Sequence, residues 1–230
     1  MTKKLILISS LIFSTLNANA QLNALKKGLE AKSPIKTGTT NLTEDEVSRG
    51  LKEALNKGIE KGVSQLSASN GYLKDISVKI PMPEEASIIE NKLRAIGQGK
   101  LVDDVVESMN RAAEDAANSA KELFITAIKN LTLKDVMNIL NGNEDAATQY
   151  LSKSTRTDLT TKFTPIIKTS LDKVGATKNW KLMVNTYNKI PLVKKLNPDL
   201  VEYSTNKAID GLFIKVAKEE LEIRKNPSAR

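Results

Sequence analysis

The chain has 230 residues, a formal charge of +8, no cysteine and no histidine. Those two absences exclude disulfide staples, thiolate nucleophiles, histidine triads and the usual zinc or iron sites, and leave carboxylates, Lys, Tyr or Ser–Lys pairs for any catalysis. A positive balance suits anionic headgroups, lipopolysaccharide or acidic glycans, yet the four Phe, four Tyr and one Trp are not interleaved with a basic stripe, so no nucleic-acid partner is expected.

The first twenty residues read as a secretory signal peptide. Lys3 and Lys4 give a positive start, Leu5 to Leu16 a short apolar run, and Ala18-Asn19-Ala20 a cleavage site, so the mature chain is expected to begin at Gln21. The run is too short to span a bilayer, and no later stretch approaches the roughly 20 apolar residues a span requires. No cysteine follows it, so no lipid anchor is expected there. The protein is therefore expected in the periplasm. Residues 21–42 are expected to form a short helix (Gln21 to Lys32) and a Ser/Pro/Gly/Thr linker, and residues 43–230 one helical domain.

Thr43 with Glu46 makes a capping box, and Val47, Leu51, Leu55, Ile59, Val63 and Leu66 follow at helical spacing. Gly50, Gly58 and Gly62 weaken that helix but permit close contact with a neighbour. After Asn70-Gly71, Ile76, Val78, Ile80 and Met82 alternate with polar residues or Pro, which predicts an extended, Pro-flanked segment at 76–83: a connector packed on the core, or a strand that pairs with another chain. Pro83 to Ile96 reads as a helix, and Lys100 to Asn130 as one long helix with an alanine-lined seam.

Thr132 caps a short helix ending near Asn141-Gly142, and Asn143 starts the next. Pro165 begins or kinks a further helix that ends at Gly175, and Thr177 caps another through Trp180, Met183 and Tyr187. Asn197-Pro198 predicts the last helix, with Asn as cap and Pro first in the helix, running to about Lys225. Its apolar residues spread round most of its circumference, so it is expected to be central. The whole predicts an all-α bundle of seven to eight helices.

The long helix carries a polar face opposite its seam: Asp103, Glu107, Asn110, Arg111, Glu114 and Asn118, with Asp104 and Asp115 at its edge. It reads as a solvated face, as a polar network covered by basic helices of the chain, or as a ligand or Ca²⁺/Mg²⁺ site. Asn141, Asn143 and Asp145 are spaced like calcium ligands, but Ala146 and Ser152 stand where such a loop needs Gly and Glu, so capping explains them better. Asp210 is expected to be partly buried and paired with Arg111, Arg156 or Arg224. No catalytic residue, metal ligand or cofactor is assigned.

Leu101-Val102-Asp103-Asp104, Ser108 to Glu114, Ile139 to Gly142, Asp145 to Thr148, Lys207 to Phe213 and Ile223-Arg224 together resemble a bacterial envelope family catalogued as domain of unknown function 4197. The resemblance covers nearly all of the mature chain and implies a single exported helical domain. It also implies a short amphipathic stretch beyond the position matching Arg230, so the chain is expected to end early. No activity or catalytic residue comes with it. The expectation is a non-catalytic envelope protein that binds a lipid-like amphiphile between helices. The rivals are an interaction module for an envelope protein and a carboxylate-based hydrolase or metal-dependent enzyme.

Overall fold

The computed structural model of the protein describes residues 43–225. The segments expected to form a signal peptide, a short helix at 21–32 and a linker, together with residues 226–230, lie outside them. Among the described residues there are eight α-helices and no strand: α1 Glu44–Ser67, α2 Ser87–Ala95, α3 Gly99–Ala117, α4 Ala120–Lys129, α5 Leu133–Leu140, α6 Ala146–Lys173, α7 Ala176–Tyr187 and α8 Leu200–Lys225. The fold is an all-α bundle.

Caps written in the sequence set several boundaries. The Thr43–Glu46 and Thr132–Asp135 capping boxes close reciprocally, with backbone N–H groups donating at 2.8–3.3 Å. At α8 the cap is Asp199, whose carboxylate accepts from the Glu202 N–H at 2.9 Å, while Asn197 only turns the chain by accepting from the Asp199 N–H. α7 begins at Ala176 after Gly175 in the left-handed region (φ +72°), so Thr177 lies inside the first turn rather than capping it.

The predicted long helix is two. At the α3–α4 junction both the backbone N–H and the hydroxyl of Ser119 donate to the Ala116 carbonyl (3.0 and 2.7 Å), a local bond that competes with the helical ladder. Conversely, the two helices expected around Pro165 are one. Pro165 and Thr161 lie on the exposed face of α6, so the carbonyl left without a donor can be hydrated and the helix continues.

α6 is the hub. Ala147, Leu151, Thr155, Leu159, Phe163, Ile167 and Leu171 are all buried and stand four residues apart. At 100° per residue each step of four advances about 40°, so the row winds round the helix. It has no fixed apolar face, and α6 packs against α3, α4, α5, α7 and α8. α8 is central as expected, packing on α1, α3, α6 and α7. Gly58 and Gly62 of α1 face it, and a Cβ on Gly58 would come within 3.1 Å of Ile223 Cδ1.

The start of α6 has no side-chain cap of its own. Glu220 of α8 supplies one: its carboxylate accepts from the Ala147 N–H (3.0 Å), the Thr148 N–H (2.8 Å) and the Thr148 hydroxyl (2.8 Å). Arg224 donates to the same carboxylate and to the Ile139 carbonyl at the end of α5. A buried negative charge is tolerated here because every contact is a donor and because it lies at the positive end of a 28-residue helix.

Gly211 marks the closest approach of the irregular 68–83 segment to α8. An added Cβ would meet the Tyr72 ring at 2.8 Å and Val78 Cβ at 3.2 Å. Tyr72 is fully buried and its hydroxyl donates to the Ala208 carbonyl at 2.7 Å, so the ring has nowhere to retreat. Gly211→Ala should therefore lose about 1–3 kcal/mol in urea unfolding. Gly50→Ala, where an added Cβ meets nothing within 4 Å, should gain up to about 1 kcal/mol from helix propensity.

Candidate functional site

The polar face of α3 divides into a buried and an exposed part. Asn110 is fully buried: its side-chain oxygen accepts from the Ile80 N–H (2.8 Å) and its amide donates to the Ile80 carbonyl (2.8 Å) and to Val106 O (2.7 Å). One side chain thus performs for Ile80 what a neighbouring strand would. Glu114, 5% exposed, accepts from the Tyr72 and Leu73 N–H groups on one oxygen, both at 3.1 Å, and from Arg111 on the other at 2.8 Å. Arg111 reaches onward to Ser69, Asn70 and Glu107.

This part of the face is covered by the chain, but by the 68–83 segment rather than by basic helices. Val78, Ile80 and Met82 are buried beneath it while Ile76 is exposed, so the segment is a connector packed on the core. Two further anchors hold it. Tyr203 donates to the Pro81 carbonyl (3.1 Å), its phenol pushed up to about 12 by burial and by Glu85 and Glu84. Lys215, nearly buried, pairs with Asp75, whose carboxyl is held at about 2 by the bonds from Lys215 and Ser77.

The remaining sequence candidates are exposed. Asp103 pairs with Arg94 (2.8 Å), Asp104 with Lys100 (2.7 Å), and Asp115 accepts from the Ser170 hydroxyl (2.7 Å). Asp210 pairs with Arg156 at 2.9 Å, one of its three anticipated partners, in a half-exposed bridge. The Arg156 guanidinium also lies over the Phe213 ring, 5.3 Å from its centroid. The candidates do not converge on one point, and among the described residues no group of three or more Asp or Glu is placed to hold a metal ion. Asn141 and Asn143 are exposed, and Asp145 bonds to Gln149 at the start of α6.

A different feature is concave. A groove of about 470 Å³ runs between α3 and α7, with Leu93, Leu101, Val105, Leu182 and Met183 on its walls and buried Trp180 behind. Asp104 is the one charged side chain lining it. A polar cleft of about 650 Å³ adjoins it, sharing Asp104, Ser108 and Val174 and bearing Glu107, Asp115, Arg111, Lys173, Ser170 and Thr169. Leu101, Val174 and Leu182 are 51, 60 and 69% exposed. Leu182 stands away from the buried row of α7 (Ala176, Trp180, Val184, Tyr187). That misplaced leucine is the signal the sequence carried. Its partner across the groove, 81 positions earlier in the chain at Leu101, it could not reveal.

Fold and site together define a helical bundle with a two-part surface groove and a polar network spent on holding its own backbone. The chain belongs to the family described as protein of unknown function (DUF4197), whose model matches residues 41–230. No curated protein and no solved structure gives a significant match.

The division of the polar face has a measurable consequence. Glu114→Ala strands two backbone N–H groups and Arg111, and should cost about 3 kcal/mol in chemical denaturation. Asp103→Asn, which removes only an exposed pair, should change stability by less than about 0.5 kcal/mol.

Proposed function

We propose that the protein is an exported, non-catalytic binding protein of the bacterial envelope that holds a single-chain amphiphile in the groove between α3 and α7. The observation that carries this reading is the adjacency of an apolar trough and a polar cleft that share Asp104, Ser108 and Val174 as lining residues. An acyl chain fits the first and a headgroup the second, within the usual size range of ligand sites. The cleft carries both signs, Asp104, Glu107 and Asp115 against Arg111 and Lys173, which suits a zwitterionic head better than a simple anion. The signal-like first twenty residues supply the compartment. The polar network of α3 is, in this reading, scaffold.

The test is a titration of residues 43–230 fused to their natural N-terminal segment with lauroyl lysophosphatidylethanolamine and lauroyl lysophosphatidylglycerol below their micellar concentrations. Binding to the folded state should raise the melting temperature, equivalent to about 2.7 kcal/mol at a hundredfold excess over Kd. Leu182→Asp leaves the core intact because the side chain is exposed, and should weaken binding about tenfold or more. No melting shift with either lipid, or a shift indifferent to Leu182→Asp, contradicts the proposal. A stable protein complex from periplasmic extract that Leu182→Asp abolishes would assign the groove to a protein partner instead.

A further inference from the structure

The connection between α7 and α8 is built to present a hydrophobic tip. Asn188 closes its base: the side-chain oxygen accepts from the Leu196 N–H (2.8 Å), the amide donates to the Leu196 carbonyl (2.9 Å), and the Lys195 ammonium donates to the Asn188 carbonyl. Leu196 itself is buried, as is Trp180, whose indole donates to the Asn197 carbonyl (3.3 Å). The loop is therefore anchored by the same device that Asn110 applies to Ile80. At its apex Leu192 is fully exposed with φ +63°, a left-handed conformation that costs a branched residue energy and that Gly or Asn would adopt more easily. Ile190 is 45% exposed beside it, and Ile88 of α2 contributes a further half-exposed apolar side chain to the same surface.

Lys189, Lys194 and Lys195 flank this tip. The carboxylates facing it are Glu84 and Glu85, and Glu85 is engaged by Lys194 at 3.5 Å. A strained, exposed leucine on a pinned loop contributes nothing to the core. With a basic collar around it, its chemistry matches one kind of surface: apolar beneath, anionic above.

We infer that the 189–195 loop is a membrane-surface contact whose partner is an anionic lipid bilayer, with Ile190 and Leu192 entering the headgroup–acyl boundary and the three lysines lying among the lipid phosphates. Each lysine adds attraction that salt screens, and the tip adds apolar burial that salt does not. The contact does not depend on what the groove between α3 and α7 holds.

The test is co-sedimentation of the full chain with vesicles of phosphatidylcholine alone and of three parts phosphatidylcholine to one part phosphatidylglycerol. The protein should sediment with the anionic vesicles at low salt, release as salt rises, and leave the neutral vesicles unbound. Leu192→Ser and the combined Lys189→Gln, Lys194→Gln, Lys195→Gln variant should each weaken binding about tenfold or more. Leu192→Gly is the decisive control: it relaxes the backbone and should melt no lower than wild type, yet bind as weakly as Leu192→Ser. Failure of the wild type to sediment with the anionic vesicles, equal binding to neutral ones, or binding unchanged in the Leu192 variants overturns the inference.

Discussion

One buried carboxylate fixes the register on which much of this bundle depends. Glu114 projects from α3 with little access to water, and it is tolerable there only because Tyr72 N–H, Leu73 N–H and Arg111 all donate to it. The segment it grips forms only turns, whose own backbone bonds leave the Tyr72, Leu73 and Ile80 N–H groups to side chains of α3. Once gripped, it lays Tyr72 against α8 at Gly211 and lowers Val78, Ile80 and Met82 into the core. Asn110, one turn earlier, then completes Ile80 as a strand partner would. Remove the carboxylate and the loss is more than three hydrogen bonds, because the apolar side chains that follow are then placed only by the anchors at Asn110, Lys215 and Tyr203.

Glu220 repeats the logic at the start of α6, capping it from α8 and being held by Arg224. In both cases a side chain distant in sequence completes backbone groups that local sequence leaves open. The bundle is tied by a few long-range polar contacts as well as by apolar burial. Such contacts penalise misregistered packing more steeply than hydrophobic contacts do, since a slipped helix would strand a charge. Leu182 of the groove and the tip of the α7–α8 loop lie apart from these ties, so those side chains can be changed for binding at little cost to the fold, whereas Arg111 serves both the Glu114 tie and the cleft.

Much of the architecture was legible because caps and periodicity are local. The capping box at Thr43, the cap at Thr132, the buried stripe of α1 and the central place of α8 followed from spacing alone. The long helices were misjudged in opposite directions for local reasons that depend on context. Ser119 broke a run of good helix formers by bonding to Ala116, and Pro165 failed to break one because it faces solvent. The winding four-residue row of α6 hid its role as hub, since averaging over a fixed helical face cancels it. The polar face of α3 was seen, and its sorting into buried and exposed members was not. Nothing in Asn110, Glu114 and Asp103 as letters says which one the 68–83 segment will cover. The groove was out of reach, because it joins walls from distant helices.

Residues 70–82, though irregular, are as much core as the helices. Native-state hydrogen exchange on the amides of Tyr72, Leu73 and Ile80 is the sharpest test, because all three donate to side chains of α3 rather than to a regular ladder. They should exchange only through global unfolding, with protection matching that of Ile209 and Leu212 in the middle of α8. Exchange at rates typical of a surface loop, while α8 stays protected, would contradict this.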